Sequence, residues 1–240
     1  MIFKQLFDPD TSTLTYIIAD AVTRDAVIID PVYGQAERDL AALNSIGATL
    51  KFIAETHVHA DHITGARALK AATNAKFAAG KATGLSCGDV LLEEDDILHF
   101  GNEILYALPT PGHTDGCTTY RWRDRIFTGD TLLIEACGRT DFQQGSAERL
   151  YDSIQKIIAY PDEYLIYPAH DYNGRRVSSI AQEKNTNPYI KGMDKTAFVA
   201  KMNALNLPRP AKIDIAVPAN EYCGDTSAAN IDTANVPHSV

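Results

Sequence analysis

Three histidines and an aspartate fall within six positions: His57, His59, Asp61 and His62. Imidazole is a poor helix former and a poor filler of an apolar core, so a cluster this dense points to something it holds. Histidine is the commonest metal-ligating side chain, and a nearby carboxylate suits a divalent cation. The flanking residues say where the cluster sits. Residues 51–56 read as a short strand, and the stretch 63–72 carries Ile63, Ala66, Leu69 and Lys70 at helical spacing. The cluster therefore lies where a strand ends and a helix begins, a common place for functional loops in layered α/β folds.

Three more residues extend the pattern. His113 follows the rigid turn Pro109-Thr110-Pro111-Gly112, Asp130 follows Gly129 at the end of an apolar run, and His170 follows Pro168-Ala169. Singly, each has an ordinary structural role: a turn histidine, a capping carboxylate, a histidine bonded to backbone. Together with the first cluster they make seven candidate ligands: His57, His59, Asp61, His62, His113, Asp130 and His170. His99, inside a strand pattern, and His238, near the C-terminal end, stand apart.

The rest of the chain alternates short strands and helices. Strands are expected over 3–7, 14–19 and 26–30, and a helix over 35–46 closed by Gly47. Further strands fall over 76–79, 97–100, 103–108, 118–122, 125–128 and 164–167, with a loop over 80–95. Helices are expected over 146–159, with Ser146 as N-cap, and over 177–184 and 195–205. A last strand is expected over 213–217. With 240 residues and 45% hydrophobic content, the chain supports one large core. The expected organisation is a single domain over 1–224 and a loosely held tail over 225–240, poor in bulky apolar residues.

A formal charge of −9 argues against a nucleic-acid backbone as partner. No apolar run is long enough to span a bilayer, and the first residues turn acidic before a leader pattern develops, so no membrane association and a cytoplasmic location are expected. Cys87, Cys117, Cys137 and Cys223 are widely spaced with no C-x-x-C pair. They do not look like a disulfide framework or a structural zinc site, and reduced, mostly buried thiols are expected.

These motifs, Thr-His-x-His-x-Asp-His, Pro-Gly-His-Thr, Thr-Gly-Asp and Ala-His in that order, resemble the metallo-β-lactamase fold. That implies an α/β fold, an αββα sandwich of two mixed sheets with helices on the outer faces. Within that superfamily, residues 56–65, 127–134, 137–145, 167–172 and 217–220 resemble persulfide dioxygenases, also called sulfur dioxygenases. The resemblance implies one non-haem Fe(II) per chain held by His57, His113 and Asp130. Two imidazoles and a carboxylate on one face leave positions for the sulfur substrate and O2. It further implies glutathione persulfide and O2 as substrates, sulfite and glutathione as products, and His59, Asp61, His62 and His170 as supporting groups around the ligands. Arg139 is the expected partner of a glutathione carboxylate, and Tyr172 a further substrate contact. Tyr189 follows Asn187-Pro188 where some relatives carry an arginine. A homodimer is compatible with this reading. The competing reading is a glyoxalase II-like thioester hydrolase, in which all seven ligands hold two metals and Asp130 bridges them; spacing alone leaves that choice open.

Overall fold

The protein is described from a computed structural model covering residues 1–229 and 231. In chain order, β1 (Ile2–Asp8), β2 (Thr13–Ala19) and β3 (Asp25–Ile29) form an antiparallel meander. After α1 (Ala36–Ser45), β4 (Thr49–Ala54) joins β3 in parallel. After α2 (Ala66–Thr73), β5 (Lys76–Gly80) and β6 (Val90–Leu92) complete a six-stranded mixed sheet in the order β1-β2-β3-β4-β5-β6.

The second sheet follows without interruption. It contains β7 (Ile97–Phe100), β8 (Glu103–Pro109), β9 (Thr118–Trp122), β10 (Arg125–Gly129), β11 (Leu165–Pro168) and β12 (Ser178–Ser179). Its order is β12-β11-β10-β9-β8-β7, and β10 and β11 are its parallel pair, joined across α3 (Ala147–Ile158). Three helices close the described chain: α4 (Ile180–Thr186), α5 (Lys195–Asn203) and α6 (Ile213–Glu221).

Burial explains the layering. Every residue of β2 is buried, as befits a strand covered on both faces. At the edge, β7 alternates, burying Leu98 and Phe100 and exposing Ile97 and His99. One apolar cluster lies between the sheets, with Tyr16, Trp122, Phe127 and Tyr167 among its members. A second packs α1 and α2 on the outer face of the first sheet, through Leu43, Ala66 and Leu69. A third packs α3, α4 and α5 on the outer face of the second, through Leu150, Ile180 and Phe198. The result is helix, sheet, sheet, helix, the sandwich of two mixed sheets that was expected. Ser146 caps α3 by accepting from the Arg149 N–H at 3.3 Å.

The sheets are stitched together along one edge. The Leu14 N–H donates to Ala169 O at 2.7 Å and the Thr118 N–H to Thr56 O at 2.8 Å. Tyr16 Oη donates to Pro168 O at 2.6 Å, and Tyr120 Oη to Glu55 O at 2.9 Å. Strands β4, β10 and β11 all end at this edge, so the loops that follow them converge there.

Several expectations change, among them residues 178–179, expected in a helix, which form β12 before α4 starts at Ile180. Residues 213–217 belong to α6, not to a strand. Alternation in Ile-Asp-Ile-Ala-Val and the interior Pro218 both speak against a helix locally. Yet Ile213, Ala216 and Ala219 fall on one buried face, and the latter two pack on Ile63. Helix α2 starts at Ala66 rather than residue 63, because Ile63 O accepts from the Tyr33 N–H and the Gly65 N–H donates to Pro31 O. The 80–95 stretch contains β6 and a 3₁₀ turn at Lys81–Thr83.

The cysteines are a further correction: Cys87 and Cys223 form a disulfide across 136 residues of sequence. Spacing cannot reveal such a pair, since only the return of α6 onto α2 brings it together. Closing so long a loop stabilises by about 4–5 kcal/mol in the chain-entropy picture. Cys117 and Cys137 are free thiols, and burial pushes them up to about 11 and about 12. Of the expected tail, Asp225 pairs with Arg67, and the Ile231 N–H donates to Thr226 O at 2.9 Å. Residues 230 and 232–240 lie outside the described residues.

Candidate metal centre

Each candidate ligand sits just past a strand. His57 follows β4, His113 lies in the loop between β8 and β9, Asp130 follows β10 and His170 follows β11. Glycines make the approach close enough. Gly129 has φ +54°, and a Cβ there would meet the Thr56 Cβ at 2.7 Å. A Cβ on Gly138 would meet Asp130 O at 2.4 Å and His113 Nδ1 at 2.8 Å. The Gly138 N–H donates to Asp130 O at 2.7 Å, which fixes the backbone beside the carboxylate.

His57, His113 and Asp130 each bring one ligand atom to within 4.8 Å of the others. Hydrogen bonds set which atoms those are. His57 Nδ1 is 3.0 Å from the Thr56 hydroxyl, whose proton goes to Asp30 Oδ2 at 2.8 Å. The hydroxyl therefore accepts from the His57 Nδ1–H, and the lone pair stays on Nε2. His113 Nδ1 donates to Arg139 O at 2.7 Å, leaving its Nε2 lone pair 3.6 Å from Asp130 Oδ2. Burial holds the His57 imidazole well below its ordinary range, as a neutral ligand requires. Asp130 Oδ1 is buried without a hydrogen bond and lies 3.7 Å from His170 Nε2. Two imidazole Nε2 atoms and a carboxylate brought within 4.8 Å of one another fit a divalent cation.

The other four candidates are gathered beside this trio but are differently engaged. His59 Nε2 lies 3.3 Å from both Asp30 Oδ1 and Glu55 Oε2. Burial pushes His59 down, but the facing Asp30 and Glu55 outweigh it and hold the imidazole well above its ordinary value. Asp61 Oδ2 lies 3.2 Å from His62 Nδ1 and 3.5 Å from His170 Nε2. Burial raises Asp61, and the His170 and His62 rings more than reverse it. His59, Asp61 and His62 can nonetheless also bring ligand atoms within 4.8 Å of one another.

The cluster opens into a pocket of about 280 Å³ lined by His57, Asp61, His113, Asp130 and His170, with Arg139, Phe142, Gln143, Tyr172 and Pro210 around it. Tyr172 is 71% exposed and stacks on the His170 ring at 6.0 Å. The Arg139 guanidinium already makes four hydrogen bonds. It grips Asp141 through Nε and Nη2 at 2.7 Å each and donates to Pro208 O and Leu207 O. A substrate carboxylate would have to displace either Asp141 or the 207 and 208 carbonyls to form the expected bidentate pair. Tyr189 packs away from the pocket, with Lys201 Nζ 4.0 Å above its ring.

Residues 8–170 match the model of the metallo-β-lactamase superfamily. The chain is 43% identical over 228 residues to the mitochondrial persulfide dioxygenases ETHE1 of Bos taurus and Homo sapiens, spanning 93% of this chain and 89% of each. The crystal structure of ETHE1 from Myxococcus xanthus superposes with a TM-score of 0.91 at 49% identity, over 93% of this chain and all of that one. The chain belongs to the persulfide dioxygenase family of the metallo-β-lactamase superfamily. A metallo-β-lactamase from Staphylococcus aureus, 26% identical with a TM-score of 0.85, shares the architecture over 92% of this chain and 71% of its own.

Three supports of this persulfide dioxygenase-family site escape a ligand search of the sequence. Asp30 looks like a strand terminator before Pro31, yet it accepts from the Thr56 N–H at 2.7 Å and from the Thr56 hydroxyl. Glu55 faces His59 and accepts from the Thr64 hydroxyl. Asn220, on α6, accepts from the Thr64 N–H at 2.8 Å and donates to His59 O and His62 O at 2.9 Å each. Buried acids next to a histidine motif, and an Asn beside a helical proline, were the available signals.

Proposed function

We propose that this chain oxidises glutathione persulfide with O2 to sulfite and glutathione, at one Fe(II) held by His57, His113 and Asp130. The carrying observation is the convergence of two preset Nε2 atoms and the Asp130 carboxylate, in a chain 43% identical to proteins named persulfide dioxygenases. Bound there, Fe(II) would supply a redox-active centre with open positions, able to mediate electron flow from persulfide sulfur to O2, which zinc does not offer. The balance is one persulfide, one O2 and one water giving one thiol and one sulfite. Two sulfite oxygens thus come from O2 and the third from water.

The chain's own residues bind and orient. Thr56 and the Arg139 carbonyl hold the two imidazoles in their ligand tautomers. Phe142 and Pro210 wall the pocket against bulk water, and Tyr172 offers a ring and a hydroxyl at its mouth. Arg139 ties residues 207–208 to the pocket, shaping the wall that Pro210 completes. Asp61, His62 and His170 form a polar belt beside the trio, and His170 Nε2, 3.7 Å from Asp130 Oδ1, orients the carboxylate.

A glyoxalase II-like dinuclear thioester hydrolase is the second reading, favoured by the additional His59, Asp61 and His62 cluster. Elemental analysis of anaerobically purified protein, with O2 uptake and sulfite release on glutathione persulfide, decides between them. One iron per chain and stoichiometric O2 uptake are expected. Two metals, with S-lactoylglutathione hydrolysed and no O2 consumed, would establish the hydrolase. A cytoplasmic location and a homodimer complete the proposal, checked by cell fractionation and light scattering. Among the described residues no helix is long and apolar enough to cross a membrane.

A further inference from the structure

The Cys87–Cys223 disulfide is not sealed in the core. Both cysteines are half-buried and line a pocket of about 290 Å³ distinct from the metal pocket. Arg67 and Lys70 of α2 border it, with Phe77 beneath and the half-exposed Tyr222 at its side. These cations pair with Asp225 and Asp89, but both side chains remain substantially exposed, at 59% and 44%. Asp225 also lines the pocket, so its charges are mixed, but a disulfide that lines an open pocket beside exposed cations is accessible to exchange with an anionic thiol.

The same disulfide holds the metal loop from behind. Cys223 is three residues past Asn220, whose amide grips His59 O, His62 O and the Thr64 N–H. Gly224, on its other side, packs so closely on Thr64 that a Cβ there would meet Thr64 O at 2.7 Å. The far end of the bond, Cys87, belongs to the loop between β5 and β6. The bond thus tethers the C-terminal end of α6 to the first sheet.

We propose that Cys87–Cys223 is a thiol-exchange site, at which a low-molecular-weight anionic thiol opens the disulfide and loosens the grip of α6 on the histidine loop. The thiolate attacks one Sγ, a new S–S bond forms, and the Cys87–Cys223 bond breaks with its electron pair leaving on the other Sγ. A second thiolate attacks the mixed disulfide and leaves as the oxidised dimer of the small thiol. Two small thiols are oxidised, the protein disulfide is reduced to two thiols, and the two protons come from the attacking thiols. This site stands on its own residues and does not depend on which substrate the metal pocket takes.

The test uses the full chain in glutathione buffers of varied thiol-to-disulfide ratio, acid-quenched, alkylated and mapped by peptide mass spectrometry. Opening in thiol-rich buffer, closing in disulfide-rich buffer, and a trapped glutathione adduct on Cys87 or Cys223 are expected. Hydrogen exchange of the Thr64 amide should rise about tenfold or more on opening, the mark of a released local contact. Cys87→Ser, which cannot close the bond, should show that faster exchange at every ratio. Arg67→Gln with Lys70→Gln should slow opening by glutathione roughly threefold or more while leaving opening by cationic cysteamine unslowed. A pair that stays closed in millimolar glutathione, or stays open in excess oxidised glutathione, overturns the exchange site. Parent-like Thr64 protection in Cys87→Ser overturns the coupling to the metal loop.

Discussion

His57 and His59 are two residues apart, with ring centroids 4.1 Å apart, yet their surroundings assign them different chemistry. His57 gives its Nδ1 proton to a neutral hydroxyl and keeps an Nε2 lone pair facing His113 and Asp130. His59 turns Nε2 toward two buried carboxylates. The aspartates divide in the same way. Asp130 faces His113 and His170 at 3.6 and 3.7 Å, and its buried Oδ1 has no hydrogen bond, whereas Asp61 hydrogen-bonds His62 at 3.2 Å. Side chains of one type become a proposed ligand or a member of a polar network according to what their other polar atoms meet.

The sharpest way to break this contrast is to remove a proposed ligand. His113→Ala or Asp130→Ala should lower O2 consumption by about a hundredfold or more and leave the protein without stoichiometric iron, since outer partners alone already count for 10–100-fold. Full iron in either variant, by elemental analysis, would undo the assignment. Chelation of the parent should abolish O2 uptake, with restoration by Fe(II) and none by Zn(II).

One step out, Thr56→Val removes the hydroxyl that sets the His57 tautomer while keeping side-chain volume. Metal affinity should fall about tenfold, measured by competition with a chromogenic chelator. Asn220→Ala leaves two carbonyls and one amide of the loop without their partner. It should reduce stability by about 1–3 kcal/mol in urea unfolding. On the other side of the contrast, His170→Gln and Asp61→Asn should keep one iron per chain and lower kcat about three- to tenfold, by disturbing orientation. Loss of a whole metal equivalent in these variants would favour the dinuclear reading.

The smallest effect lies far from the site. Burial pushes the Asp39 carboxyl up to about 6, against the pull of Arg38, and its Oδ2 has no partner. The folded chain then binds this proton more tightly than the unfolded one, so stability falls as pH rises from about 4 to about 6. Asp39→Asn should be more stable than the parent by about 1 kcal/mol at pH 7.5, with the advantage vanishing near pH 4. Thermal melts at both values check it.

Much of the layout was legible because periodicity and strand-end punctuation are local signals. The meander over β1, β2 and β3, the hairpins of the second sheet, the α3 cap and the converging His57, His113, Asp130 and His170 could be read from neighbours along the chain. Helix α6 could not. Its strand-like alternation and Pro218 are overridden by packing on Ile63, contributed from the metal loop. The Cys87–Cys223 pair was hidden by the same misreading. Arg139 was legible as a cation near the site, but its engagement with Asp141 and the carbonyls of 207 and 208 depends on how two distant loops meet.

Residue identity and spacing by themselves determined that this chain gathers imidazoles and carboxylates at the ends of short strands in a two-sheet sandwich. Chemical type is written in the side chain, and local hydrophobic period dictates local backbone form. Only the tertiary structure decided which nitrogen each histidine leaves open, because that choice belongs to partners such as Asp30, Glu55 and the Arg139 carbonyl, drawn from loops up to 109 residues away from one another in sequence.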